Sequence, residues 1–386
     1  MPRDNWLTVA AARTARIPFG FLSRRPFTPP QKAVILQPCC VSQIMLTTPL
    51  LVALSNAFPQ TRFDWVVSSW GRPAIIGNPR ITELIDAGSG DLKAAGWGAI
   101  RRLAHQLHEE AYDTCIIPSR SSTLALLAWE ASIPQRIGLN IDGRGFAHTV
   151  AVKPAQNIRH AAEIYLSLAA SMGVDVGSDA PNRVGMEFYP PDNDRTAVTH
   201  RLVEDVDWLG DCPLVVIHPG GASNPIQTTP GKLWPAERYA RLANHIVRQH
   251  GARVILVGAD QDREIARAII GMTAAPLVDW VGRISLGELG GLCEVADLYI
   301  GNDTGPTHVA AAVGCPTLAI FGPSDPAVSR PYGTKGQVVA LWHDLAAVAD
   351  ERPFTWEEGV TVAEAVTAVD ELLRRAKTAV SQQGRL

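Results

Sequence analysis

Residues 296–321 constrain the fold of this chain more than any other stretch. Ala296-Asp297-Leu298-Tyr299-Ile300 and Thr317-Leu318-Ala319-Ile320-Phe321 read as two short buried strands. The segment between them, from Gly301 to Pro316, reads as a turn and a short helix. Pro306 suits the first helical turn, where its missing N–H costs nothing, and Gly314 suits a left-handed exit. Strand, helix and strand in so few residues make a βαβ unit. The N–H groups of Thr304 and Gly305 then stand at the positive end of the helix, a place for an anion such as a diphosphate. The same residues also read as an ordinary, well-capped βαβ unit.

The alternation extends over the whole chain. Ala33-Val34-Ile35-Leu36, Arg62-Phe63-Asp64-Trp65-Val66-Val67 and Thr114-Cys115-Ile116-Ile117 read as strands in the first half. Helices are expected over about 44–57, 97–110, 121–131 and 159–172, the first from Leu46, Leu50, Leu54 and Ala57 at three- and four-residue spacing. Residues 189–194 are a turn-rich break, followed by a helix over about 195–208. The alternation then restarts with Leu214-Val215-Val216-Ile217, a helix over 236–250 capped by Gly251, Arg253-Val254-Ile255-Leu256-Val257, and a helix over 261–271. A last helix is expected over 361–378. Strands alternating with helices indicate mostly parallel sheets covered on both faces. The expectation is α/β, with two doubly wound, Rossmann-like domains and a ligand cleft between them. The expected boundaries are a basic extension over 1–30, a first domain over 31–190, a second over 191–345 and a helical segment over 346–386.

Composition narrows the function. A chain of 386 residues with 46% apolar and 19% charged residues is a soluble globular protein of two domains. A formal charge of −3 gives no support to nucleic-acid binding. No apolar run reaches membrane-spanning length. Cys39, Cys40, Cys115, Cys212, Cys293 and Cys315 include no Cys-x-x-Cys pair, so buried free thiols are expected rather than disulfides or zinc. The first 32 residues carry Arg3, Arg13, Arg16, Arg24, Arg25 and Lys32 against Asp4, interleaved with Ile17, Phe19, Phe21, Leu22 and Phe27. That pattern suits either a frayed extension or a peripheral contact with an anionic membrane.

Several short motifs carry chemistry. The first strand of the second domain ends in His218-Pro219-Gly220-Gly221-Ala222-Ser223, whose glycines let backbone approach a ligand. Lys232, ahead of Leu233-Trp234-Pro235, is placed either to neutralise a departing diphosphate or simply to sit solvated on the surface. Asp303 would repel a phosphate but would accept hydrogen bonds from sugar hydroxyls beside it; it would equally cap the helix. His308 lies in the first turn of that helix, as a phosphate donor or a buried structural histidine. Gly231-Lys232 is no P-loop, since Ile226 and Leu233 occupy required positions. Gly88-Ser89-Gly90 lacks the third glycine of a dinucleotide fingerprint, with Lys93 in its place. No metal ligands and no cofactor are expected.

Taken in order, His218 to Ser223, Lys232 to Pro235, Val257-Gly258-Ala259-Asp260, Asp303 to His308, and Phe321-Gly322-Pro323-Ser324-Asp325-Pro326 resemble the lipopolysaccharide heptosyltransferases of glycosyltransferase family 9. Thr47-Thr48-Pro49-Leu50-Leu51, Tyr112-Asp113, Arg136-Ile137-Gly138-Leu139 and residues 160–173 extend the resemblance to roughly 33–345. It implies a GT-B fold, with the donor held mainly by the second domain and the acceptor mainly by the first. It further implies inverting, metal-free transfer of a heptose from ADP-heptose to a lipid-linked lipopolysaccharide-core acceptor, in the cytoplasm at the inner membrane face. The residues it assigns to the donor are Ser223, Lys232, Asp260, Asp303, Thr304, Gly305 and His308.

The acceptor side departs from the family pattern. Inverting transfer needs a base for the acceptor hydroxyl, and the family's aspartate six residues before the proline of Thr47-Thr48-Pro49 is Gln43 here. The preceding glycine is Ser42, and the arginine at the end of the first strand is Gln37. An amide has no useful basicity, which leaves His105, His108, His148, His160 and Asp113 as first-domain alternatives. A second reading is a nucleotide-sugar-binding homologue that acts as a partner module without turnover.

Overall fold

The computed structural model describes residues 27–88, 92, 95–177, 184–221, 223–226, 228–334, 336–344 and 354–383, with Thr14. The basic segment lies almost wholly outside them, as do Ser89, Gly90, Lys93 and Ala222. The chain divides into two compact units, Met1–Gly185 and Met186–Leu386.

The first unit runs β1 (Lys32–Leu36), α1 (Val41–Ala57), β2 (Arg62–Val67), β3 (Glu83–Asp86), α2 (Gly96–Glu109), β4 (Thr114–Ile117), α3 (Ser122–Glu130), β5 (Gln135–Leu139), β6 (Val150–Val152) and α4 (Ala161–Ser171). Its six strands pair in the order β3-β2-β1-β4-β5-β6, all parallel. Alternate residues of the central strands, Val34, Leu36, Cys115 and Ile117, pack with Ile100, Leu103 and Leu107 of α2 and Leu124 and Leu127 of α3.

The second unit repeats the plan. It runs α5 (Asp192–Glu204), β7 (Leu214–His218), α6 (Ala236–His250), β8 (Arg253–Leu256), α7 (Arg263–Met272), β9 (Val278–Asp279), α8 (Leu286–Val295), β10 (Leu298–Asn302), α9 (Gly305–Ala312), β11 (Thr317–Ile320), α10 (Pro326–Ser329), β12 (Val338–Leu341) and α11 (Val362–Gln383). The sheet order is β12-β11-β10-β7-β8-β9, again all parallel. Side chains alternate across it. Val215, Ile217, Val254, Leu256, Leu298 and Ile300 face Leu242 and Ile246 of α6 and Val369 and Leu372 of α11. Leu214, Val216, Ile255 and Tyr299 face Val198 of α5, Leu292 of α8 and Ala310 of α9.

In each unit the order reverses direction beside the first strand, between β1 and β4 and between β7 and β10. Crevices at the carboxyl ends of such strand pairs are where open parallel sheets bind ligands. The strand order therefore points to two places, one in each unit.

Some expectations need correcting. Residues 192–194 belong to α5 rather than to the break, because Asp192 and Asp194 suit the positive end of a helix. Cys39 and Cys40 are not free thiols but form a disulfide between neighbours. They are adjacent in the tight loop from β1 to α1, and both are buried. Cys115, Cys293 and Cys315 are buried and free, and Cys212 is free and partly exposed.

Candidate functional site

The crevice of the second unit is built on Asn302, the last residue of β10. Its side chain is fully buried. Nδ2 donates to the carbonyls of Pro219 (2.8 Å) and Gly220 (3.2 Å). Oδ1 accepts from the Trp234 N–H (3.1 Å) and the Tyr239 hydroxyl (3.0 Å). One amide thus fastens the loop after β7, the segment before α6 and the end of β10. Sequence reasoning passed over Asn302; the available signal was a carboxamide closing an apolar strand, where a polar group needs partners.

On that frame the glycine loop lies tightly against α9. Gly221 takes a φ of 91°, and a Cβ there would stand 2.7 Å from Thr304 Cγ2. Glycine is required on both counts. Gly220 packs onto the carboxylate of Asp262. Asp262 is buried, and it accepts from the Gly221 N–H (3.2 Å) and the Ala259 N–H (2.9 Å). The sequence drew attention to Asp260, two residues earlier. Asp260 stands at the carboxyl end of β8 with its side chain 80% exposed and paired to Arg263 at 2.7 Å. Asp262 is the carboxylate that shapes the loop. Its Oδ2 lies 4.0 Å from Nε2 of His218. Burial pushes the His218 imidazole below its ordinary range, against the opposing pull of Asp262.

The start of α9 carries no capping side chain, with Thr304 at the cap position in extended conformation. Thr304 is buried and its Oγ1 has no hydrogen-bond partner among the described residues. Asp303 is not the helix cap. Its Oδ2 pairs with Lys232 Nζ at 2.6 Å, and Nζ also donates to the Asp303 carbonyl at 3.3 Å. Ser329 at the end of α10 reaches Asp303 Oδ1 at 3.4 Å. Lys232 is therefore no solvated surface lysine: it closes the short helical turn Pro230–Lys232, and its side chain is 23% exposed. His308 is buried in the first turn of α9. Ser223 lies further out, bridged to Thr228 with its Oγ donating at 3.3 Å. The structure thus brings Lys232, Asp303, Thr304, Gly305 and His308 together around an uncapped helix start, with Ser223 and Asp260 at the same end of the sheet.

In the first unit Gln43 is exposed in the first turn of α1, just beyond the carboxyl end of β1. Gln37, which follows β1, is buried, and neither its Oε1 nor its Nε2 has a partner among the described residues. The five alternative bases separate by position. Asp113 accepts from the Gln31 and Lys32 N–H groups at the amino end of the sheet. His105 and His108 lie in the last turns of α2 at that same end, His108 Nδ1 beside the Ala131 carbonyl at 3.1 Å. His148 is buried, and burial with the neighbouring Arg136 charge drives its imidazole down to about 3, against a hydrogen bond with the Leu139 backbone. His148 packs against Gly138 and Leu139 at the carboxyl end of β5, and His160, capping α4 through the Ala162 N–H at 3.3 Å, follows the carboxyl end of β6.

A tandem of two such units is the GT-B class, and comparison with known proteins agrees. The sequence model of glycosyltransferase family 9 (heptosyltransferase) matches residues 100–353. The chain belongs to that family and is a glycosyltransferase. It is 28% identical over 318 residues to lipopolysaccharide heptosyltransferase 2 of Salmonella typhimurium, covering 80% of this chain and 88% of that one. It is 25% identical over 359 residues to lipopolysaccharide heptosyltransferase 3 of Escherichia coli, covering 88% and 98%. In fold it is similar to a family 9 glycosyl transferase from Veillonella parvula, with TM-score 0.74, 23% identity and coverage of 89% and 97%. It is also similar to E. coli ADP-heptose lps heptosyltransferase II, with TM-score 0.71, 22% identity and coverage of 90% and 100%. Among the described residues no helix is long and apolar enough to cross a membrane.

Proposed function

We propose that the chain transfers a heptose from ADP-heptose to a lipid-linked lipopolysaccharide-core acceptor, with the donor diphosphate seated at the start of α9. The observation that carries this reading is the uncapped helix start beside the Lys232–Asp303 pair. Aligned peptide dipoles and open N–H groups attract the diphosphate. The ammonium of Lys232 offsets the Asp303 carboxylate, which removes the repulsion that Asp303 alone would present. An ammonium carries three protons, so one remains for a phosphate oxygen while the others hold Asp303. Thr304 Oγ1, buried without a partner among the described residues, is a further group for that oxygen or for the sugar. Ser223 and Asp260 are positioned for more distant parts of the donor, Asp260 for ribose hydroxyls on exchange with Arg263.

In the reaction the sugar's anomeric carbon loses its bond to the diphosphate as it gains one to the acceptor oxygen. ADP departs with the electron pair, and its developing charge is met by Lys232 and the α9 N–H groups. The acceptor hydroxyl must also lose a proton. Gln43 can hold that hydroxyl through its amide oxygen but cannot take the proton. Of the alternatives at the carboxyl end of the first sheet, His148 is buried with its imidazole held low, and His160 has its Nδ1 engaged by the Ala162 N–H. The relatives are named as transferases, which favours transfer over the partner-module reading. The test is mass-spectrometric detection of a heptose added to a core acceptor in the presence of ADP-heptose. Donor binding without any addition, across acceptors truncated at successive core sugars, would refute the proposed reaction.

A further inference from the structure

A second cluster of ligand-type side chains lies on α6 and α11. His245 and His250, from the last turns of α6, both direct Nε2 at the same oxygen of Asp370, at 2.8 and 2.7 Å. The three ligand atoms all lie within 4.8 Å of one another. Their backbone positions are fixed by packing. Ala243 and Ile246 flank His245, while Val369 and Leu372 flank Asp370, and all four are buried in one core cluster. The ligands are therefore preorganised from two elements that cannot slide independently.

We propose that His245, His250 and Asp370 form a binding site for a divalent transition-metal ion of the Zn2+ class, which fastens α11 to α6. Two imidazoles and a carboxylate select such ions over Mg2+ or Ca2+, which take all-oxygen sets. Around a tetrahedral Zn2+ neighbouring ligand atoms lie about 3.3 Å apart. Small rotamer changes from the present distances open that space, with each ring carrying its proton on Nδ1. The side chains of His245 and His250 are 24% and 15% exposed and that of Asp370 is 46% exposed, so water can complete the coordination. The carboxyl end of α6, closed by Gly251 in the left-handed conformation, adds the negative end of a helix dipole, which favours a cation. This site is built from residues separate from the donor crevice and does not depend on the proposed reaction.

The experiment is titration of the chelator-stripped full-length chain with Co2+ alone, followed by visible absorption, then with Zn2+. One equivalent of Co2+ should give the d–d bands of a low-coordinate site, which Zn2+ displaces. Zn2+ should raise Tm, and Mg2+ should not. His250→Ala and Asp370→Asn should each weaken binding at least tenfold and abolish the Tm rise. Circular dichroism and unchanged ADP affinity would show that the variants are folded. Absence of the bands in the native chain would overturn the proposal. So would equal Co2+ affinity in the native chain and a His245→Ala/His250→Ala double variant.

Discussion

In the proposed donor site Lys232 and Asp303 act as a pair, because neither would serve alone. A lone carboxylate would repel a diphosphate, and a lone lysine would sit in solvent; paired at 2.6 Å they fix each other. Both were identifiable from their motifs, but their pairing was not, since 71 residues separate them. Asn302 and Asp262 were missed for a related reason. Their roles consist of hydrogen bonds to distant backbone, which sequence spacing does not display. Asn302→Leu leaves the Trp234 N–H and the Pro219 carbonyl without partners, and should cost about 2–4 kcal/mol in urea unfolding. At Gln43 the exchange of an amide for a shorter carboxylate is informative. Gln43→Asp restores a carboxylate at the exposed start of α1, and should raise the transfer rate by roughly a hundredfold or more if proton removal limits it. An unchanged rate would assign the base elsewhere.

The central strands and the long helices were legible as elements. β2, β4 and α6 occupy the expected residues, since buried strands read as short β-branched runs and α6 has one apolar face. The edge strands β3, β6, β9 and β12 were not read as strands: β3, β6 and β9 are only two to four residues long and partly exposed, whereas β12 does present the apolar run Val338–Leu341 and was passed over. α8 was hidden by its own composition. Gly287, Gly290 and Gly291 are poor helix formers, yet each admits a neighbour. A Cβ on Gly290 would overlap the ring of Phe188, and one on Gly287 would overlap the carboxylate of Asp194. Close packing of α5 on α8 therefore requires residues that weaken α8 in isolation. Gly290→Ala should destabilise the second unit by about 1–3 kcal/mol through overpacking, read as a lower urea midpoint with unchanged slope.

Across the whole molecule, the two units share one strand order, so the same reversal beside the first strand sets a crevice in each. The sequence conveyed this duplication through its restarted alternation. It did not convey the Cys39–Cys40 link, because adjacent cysteines are more often left unbonded. His148 contributes to the molecule's acid response, beside His218, whose imidazole burial also lowers. The His148 imidazole is held near 3 in the folded chain against an ordinary 6.5. Between those values the unfolded chain binds the proton and the folded chain does not, so stability is full above 6.5 and falls as pH drops toward 3. The loss is on the order of a few kcal/mol. His148→Leu should flatten that part of the stability-pH profile measured by denaturant unfolding, and an unaltered slope would show that His148 does not govern it.

The donor diphosphate is proposed to sit at the start of α9, beside Lys232. Calorimetric titration of ADP-heptose into the native chain and into Lys232→Ala tests it most directly. The native chain should bind one equivalent, and the variant should bind about 10- to 100-fold more weakly, the effect of one charge-assisted hydrogen bond. Equal affinity in the two proteins, or no binding to the native chain at millimolar donor, would contradict it.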